Sequence, residues 1–133
     1  MLNYFSVPAI RDSNIDSLMN SIAIAVSSVQ EISIDEILSK SRRSKLIESR
    51  RFVIGITHKF GKINLNQIAR YFGDTITNHS TVIYHAKKLN DYIETDITTR
   101  IKYVKILECL SRLMEHDDLL VKRIDRSIKN IKS

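Results

Sequence analysis

Residues 64–89 read NLNQIARYFGDTITNHSTVIYHAKKL. Asn64 with Gln67 three positions on has the reciprocal spacing of a capping box, and Leu65, Ile68, Ala69 and Phe72 recur on one face of the short helix that follows. Gly73 closes that helix, residues 74–78 (DTITN) make a turn, and Asn78 caps a longer helix from His79 to about Glu94. At 100° per residue, Val82, Ala86, Leu89 and Ile93 form one buried stripe, and Ser80, Thr81, Tyr84, Lys87 and Lys88 lie opposite. A short helix, a Gly-containing turn and a longer helix with a polar leading end are the parts of a helix-turn-helix. Hydroxyls first and cations a turn or two later suit a helix whose first turn meets base edges and whose lysines meet phosphates. Backbone amides at its N-terminus add attraction for an anion. Any solvated helix face carries polar residues outward, so the wheel by itself does not decide the matter.

The pattern stays helical on both sides of this unit. Ile15, Leu18, Met19, Ile22, Val26 and Val29 recur at helical spacing after a cap at Ser13 or Asn14. Asp35 opens a brief helix through Leu38, and residues 39–44 (SKSRRS) read as a basic loop. Leu46 to Phe60 is a helix with Leu46, Ile47, Val53, Ile54 and Phe60 for its buried side, ended by Gly61. Asp96 or Thr98 caps a helix to about Met114, and Asp117 or Asp118 starts a last one to about Ile131. The fold class is all-α: a compact domain of about six helices containing a helix-turn-helix, with an additional C-terminal amphipathic helix. The expected division is an N-terminal arm over 1–13, the helix-turn-helix domain over 14–115, and the amphipathic helix over 116–133.

With 133 residues the chain supports one core, and three Gly and one Pro argue against an all-β chain of tight turns. One cysteine, Cys109, forms no internal disulfide, which fits a reducing, cytoplasmic compartment. No signal peptide and no membrane-spanning run is visible. Net charge is +6, and residues 40–60 alone carry a local +6 through Lys40, Arg42, Arg43, Lys45, Arg50, Arg51 and Lys59 against Glu48. Residues 1–39 carry −4. One dense basic segment on an otherwise near-neutral chain is the footprint of a polyanion partner, although a solvated basic face would look the same.

The run NHSTVIYHAKKL, residues 78–89, resembles the signature that opens the recognition helix of the C-terminal DNA-binding domain in the bacterial replication initiator DnaA family. IDEILSK (34–40), SRRSKLIESRR (41–51) and NLNQIARYFG (64–73) are similar, in order, to that domain's short helix, basic loop, following helix and first helix of the helix-turn-helix. The resemblance covers roughly residues 14–112 and implies double-stranded DNA as the partner, in replication initiation or transcription. It implies base reading by Asn78, His79 and Ser80 in the major groove and by Arg42 in the minor groove. It implies phosphate contacts from Arg43, Lys45, Arg50, Arg51, His58, Thr81, Tyr84, Lys87 and Lys88.

Three departures from the family pattern stand out. Asn78 stands where the family has an acidic residue; asparagine both donates and accepts, which suits adenine, whereas a carboxylate suits the cytosine amino group. An altered or relaxed site preference is therefore expected. GDTIT (73–77) replaces the family's Gly-Gly-Arg before the motif. The chain has no G-x-x-x-x-G-K-[ST] loop, so it is expected to bind no nucleotide and to act as an accessory or regulatory DNA binder of bacterial, phage or mobile-element origin.

Other chemistries find little support. His58, His79, His85 and His116 form no HExxH, so no metal and no cofactor is expected. Tyr84 lacks the histidine pair or acidic metal ligands of a strand-transfer nucleophile, and no enzyme is expected. The last helix has Leu120, Ile124, Ile128 and Ile131 as one stripe, which either packs back on the domain or serves a homodimer or a replication or transcription protein. The competing class is thus a protein-interaction module that docks through its basic face or that helix.

Overall fold

A computed structural model describes residues 13–73 and 79–132, with the backbone alone at 13–16 and 132. Among them are seven helices: α1 (Ser13–Gln30), α2 (Ile34–Ile37), α3 (Ser44–Phe60), α4 (Leu65–Tyr71), α5 (His79–Thr95), α6 (Ile97–Leu113) and α7 (Asp118–Lys132). The described residues contain no strand. The expected arm lies outside them except for Ser13, as does the turn at 74–78 with the cap Asn78.

Helix α3 is the axle of the fold. Residues 52–56 are buried all round it, as an apolar run without a polar face must be, and it packs against α1, α2, α4, α5 and α7. Phe52 and Ile56 join Met19, Ile22 and Val26 of α1 and Tyr103, Ile106 and Leu107 of α6 in one core. Gly55 is required where α3 crosses α5, because a Cβ there would come within 2.3 Å of Leu89 Cδ2. A polar tie crosses the same layer: Glu48 of α3 accepts from Gln30 of α1 at 2.7 Å and from Lys102 of α6 at 3.0 Å.

Local signals set most boundaries. Asn64 and Gln67 cap α4 reciprocally, at 2.9 and 3.2 Å. A second capping box, Ser33 with Glu36, starts α2 one residue earlier than its sequence suggests. Asp96 caps α6 by accepting from the Thr98 amide at 3.1 Å. Helix α3 begins at Ser44 rather than Leu46, and α1 already includes Ser13. At the end of α3 the left-handed residue is Lys62 (φ 50°), whereas Gly61 keeps right-handed geometry. Gly61 is needed for space, since its Cβ would meet the Thr57 carbonyl at 2.7 Å.

Two arginines close helix C-termini, where exposed carbonyls attract a cation. Arg100 donates to the Ile93 and Glu94 carbonyls at the end of α5, both at 2.8 Å. Arg123 of α7 donates to the Phe60 and Lys59 carbonyls at the end of α3, at 2.9 and 3.0 Å. With Leu120 and Ile124 buried in the core, this fastens α7 to the body of the domain.

Candidate nucleic-acid interface

Helices α4 and α5 are the two arms of the helix-turn-helix. Ile68 and Ala69 of α4, Phe72 at its C-cap, and Val82, Ala86 and Leu89 of α5 are buried, and Ile93 is half-buried. That inward stripe turns Ser80, Tyr84 and Lys87 into solvent, with Thr81 and Lys88 half-buried at its flanks, while His79, the first residue of the helix, is exposed at the edge of the stripe. Lys88 Nζ stands 5.8 Å from the Tyr84 ring centroid, a cation–π distance, so the ring and the ammonium form one outward unit. His79 meets α4 through a hydrogen bond between its Nε2 and Asn66 Oδ1.

Helices α3 and α5 pass each other in opposite senses: Gly55 faces Leu89 and the Arg51 guanidinium lies over the Tyr92 ring at 5.1 Å. The basic loop before α3 therefore sits toward the end of α5, and His58, exposed in the last turn of α3, sits toward the half in which α5 begins. From His79 to Tyr92 the axis of α5 rises about 20 Å at 1.5 Å per residue.

Lys40, Arg42 and Arg43 in the loop and Lys45 in the first turn of α3 are all exposed. Arg43 pairs with Glu36 at 3.0 Å. Hydrogen bonds from the Ser33 amide and hydroxyl, and then Arg43, hold the Glu36 carboxyl below the ordinary range.

Arg50 does not join this surface. Only 6% exposed, it donates from Nε to the Ile37 carbonyl at 2.7 Å and from Nη2 to the Ser39 carbonyl. Burial lowers its pKa, and the two bonds fasten the end of α2 and the entry of the basic loop to α3. Arg50, which the resemblance places at a phosphate, uses these two donors on backbone within the domain. Arg51, half-buried on the Tyr92 ring, has its Nε buried without a partner among the described residues.

His85, on the flank of α5 that turns toward α3, is pushed down to about 4 by burial and then by the charges of Arg51 and Arg50. It is neutral at pH 7, and Tyr84 meets its ring edge-on at 5.5 Å.

The geometry thus places His79, Ser80, Tyr84, Lys87 and Lys88 along one helix, and Arg42, Arg43 and Lys45 in the loop and first turn that open α3. Asn78 lies outside the described residues. Three residues that the sequence motifs do not single out take part: Asn66 beside His79, Tyr92 under Arg51, and Glu36 against Arg43. The Ser33–Glu36 spacing was a readable signal for the last; the other two depend on contacts between helices. No group of three His, Cys, Asp or Glu able to hold a metal occurs among the described residues. Nor is any described helix long and apolar enough to cross a membrane.

A two-helix unit whose longer helix opens on a solvent-facing polar first turn defines a helix-turn-helix domain. The family model described as the bacterial dnaA protein helix-turn-helix matches residues 19–89, and the chain belongs to that family. Among its relatives is the chromosomal replication initiator protein DnaA of Campylobacter concisus (strain 13826), 31% identical over 88 residues, which are 66% of this chain and 20% of that protein. The protein of the same name from Nautilia profundicola is 37% identical over 67 residues, 50% of this chain and 15% of the relative. That of Buchnera aphidicola subsp. Baizongia pistaciae is 28% identical over 93 residues, 70% and 20% respectively. The chain thus spans about a fifth or less of the length of these relatives. No solved structure matches it.

Proposed function

We propose that this domain binds double-stranded DNA with sequence preference, as an accessory or regulatory factor in replication initiation or transcription. The observation that carries the reading is the first turn of α5: Ser80 is exposed on the side opposite the buried Val82, Ala86 and Leu89, and His79 is exposed beside it at the edge of that stripe. Such a turn meets base edges in a major groove, and Asn78, next in the chain, completes the base-reading set. Arg42 reads the adjacent minor groove, where narrow A/T tracts concentrate negative potential. Arg43, Lys45, Arg51, His58, Thr81, Tyr84, Lys87 and Lys88 hold phosphates, and Arg50 holds the loop that carries Arg42.

The task on this reading is binding rather than catalysis, without cofactor, on DNA in the bacterial cytoplasm. The relatives' name supports replication initiation as the process. Selection from a random duplex library, with bound fractions titrated against salt, tests the proposal. An enriched motif with an A/T-rich end, and affinity falling steeply with salt, is expected. Salt-sensitive binding with no motif would reduce the domain to a nonspecific polyanion binder. A second reading, docking on a protein partner or a second copy at α7, is favoured by Leu119, 75% exposed at the start of that helix. No DNA binding at low salt together with a stable complex in pull-down would decide for it.

A further inference from the structure

Cations from α3, the loop after it and α7 gather around the last turn of α3. Lys59 and Lys62 are exposed there, and α7 is fastened to the same place by Arg123, which holds the Lys59 and Phe60 carbonyls. Lys59 Nζ and the Arg123 guanidinium stand 5.8 and 5.5 Å from the centroid of the same ring, that of Phe60. The negative end of α3 accounts for Arg123 and favours Lys59. It does not account for the rest: Lys59, Lys62, Lys122 and Arg126 have no carboxylate partner among the described residues. Asp117 and Asp118 line the groove beside Lys62 and Arg123, but Asp117 is occupied as the cap of α7, accepting from the Leu120 amide at 3.1 Å. At 100° per residue, Arg126 falls about 60° and Lys122 about 100° round α7 from Arg123, whereas Asp118 and Asp125 fall about 140° and 160° round. Like charges at i and i+4 on a helix repel, so folding alone gives no reason to gather Lys122 and Arg126.

We infer that Lys59 and Lys62, with Lys122 and Arg126 of α7, form a second phosphate surface that takes the backbone of the same duplex beyond the bases read by α5. The inference rests on the proposed entry of α5 into a major groove. The end of α3 lies toward the half in which α5 begins, and His58, assigned to a phosphate above, is exposed next to Lys59. The cluster therefore continues the proposed interface. A duplex carries one phosphate charge per about 1.7 Å of axis, so a few flanking base pairs supply all the anions that it needs. Contacts of this kind set affinity and register without reading a base. Helix α7 lies beyond residues 19–89, the part that the family model matches, so the surface lengthens the contact of the matched region.

The double variant Lys122→Gln/Arg126→Gln is compared with Lys105→Gln/Arg112→Gln. The second pair removes the same charge from exposed positions about 180° to 200° round α6 from Tyr103, whose ring faces Lys59. Binding to the duplex enriched by the wild type is titrated against salt, with long flanks and with the duplex trimmed to the motif on either side in turn. Urea denaturation checks that both doubles fold. On the long duplex the α7 double is expected to lose roughly two units of salt slope, at about 0.9 per phosphate, and the α6 double less than about half a unit. The motif is the same for both. Trimming one side, and not the other, weakens the wild type and leaves the α7 double unchanged. Equal losses of slope in the two doubles, or none in either, overturn the inference while the proposed function stands, as does a wild type indifferent to trimming on both sides. Trimming is read on the wild type alone, so it decides even where a double does not fold. A wild type that binds no duplex, or enriches no motif, overturns the proposed function and the inference with it.

Discussion

Replacing Arg50 by methionine tests how the basic loop is held. The side chain is 6% exposed and bonds the Ile37 and Ser39 carbonyls, the first at 2.7 Å. A hydrogen bond from a charged donor contributes about 1.5–3 kcal/mol, and a buried carbonyl left without its donor costs its desolvation. Water can replace the donor at half-exposed Ser39 but not at buried Ile37, so Arg50→Met loses about 2–4 kcal/mol, a large share of the roughly 5–15 kcal/mol that a domain of this size commands. Arg50→Lys, whose single ammonium can satisfy one carbonyl well, loses about half as much. Urea denaturation of the free protein reads the stability, and amide hydrogen exchange reads faster opening over residues 38–43. DNA is absent from both assays, which separates holding the loop from touching a phosphate. A variant within about 0.5 kcal/mol of wild type, as surface changes usually are, whose DNA affinity nevertheless lost about one unit of salt slope, would refute the reasoning.

Three further outcomes follow from the packing. Gly55→Ala gains about 1 kcal/mol of helix propensity but drives a Cβ to within 2.3 Å of Leu89 Cδ2 and 3.1 Å of its Cβ, so thermal denaturation should show a net loss of about 1–2 kcal/mol. His85 is held neutral at about 4 in the fold against 6.5 in the unfolded chain, so the unfolded state takes up its proton first. Stability attributable to His85 is therefore intact above about pH 6.5, declines between 6.5 and 4 by on the order of 2–3 kcal/mol, and changes no further below; His85→Gln should remove that part of the acid slope in denaturation curves taken across the window. Arg123→Met frees the Lys59 and Phe60 carbonyls and should cost about 1–3 kcal/mol, with faster exchange in α7 and in the last turn of α3.

Much of the fold was legible because local chemistry and global packing agree. Asn64 and Gln67 announce the start of α4, and the stripe Val82, Ala86, Leu89 gives α5 its inner face without knowledge of its neighbours. The same chemistry at Ser33 and Glu36 was readable and sets the start of α2. Arg50 shows where composition misleads. Arginine counts as a surface cation, yet Arg50 falls four residues after Leu46 and three before Val53, in phase with the buried face of α3. Helical phase, rather than residue type, carried the signal. The Arg51–Tyr92 stack and the Asn66–His79 bond join residues 41 and 13 positions apart and exist only once helices cross. Periodicity within one helix contains no information on such pairs.

The central claim is that α5 reads a major groove while the loop of Arg42 enters the minor groove beside it. Missing-nucleoside interference on the duplex enriched by selection tests it directly, comparing the wild type with Arg42→Ala and His79→Ala. The predicted pattern is two interference patches about half a helical turn apart, of which Arg42→Ala removes one and His79→Ala weakens the other. A single patch that both substitutions weaken alike would contradict it.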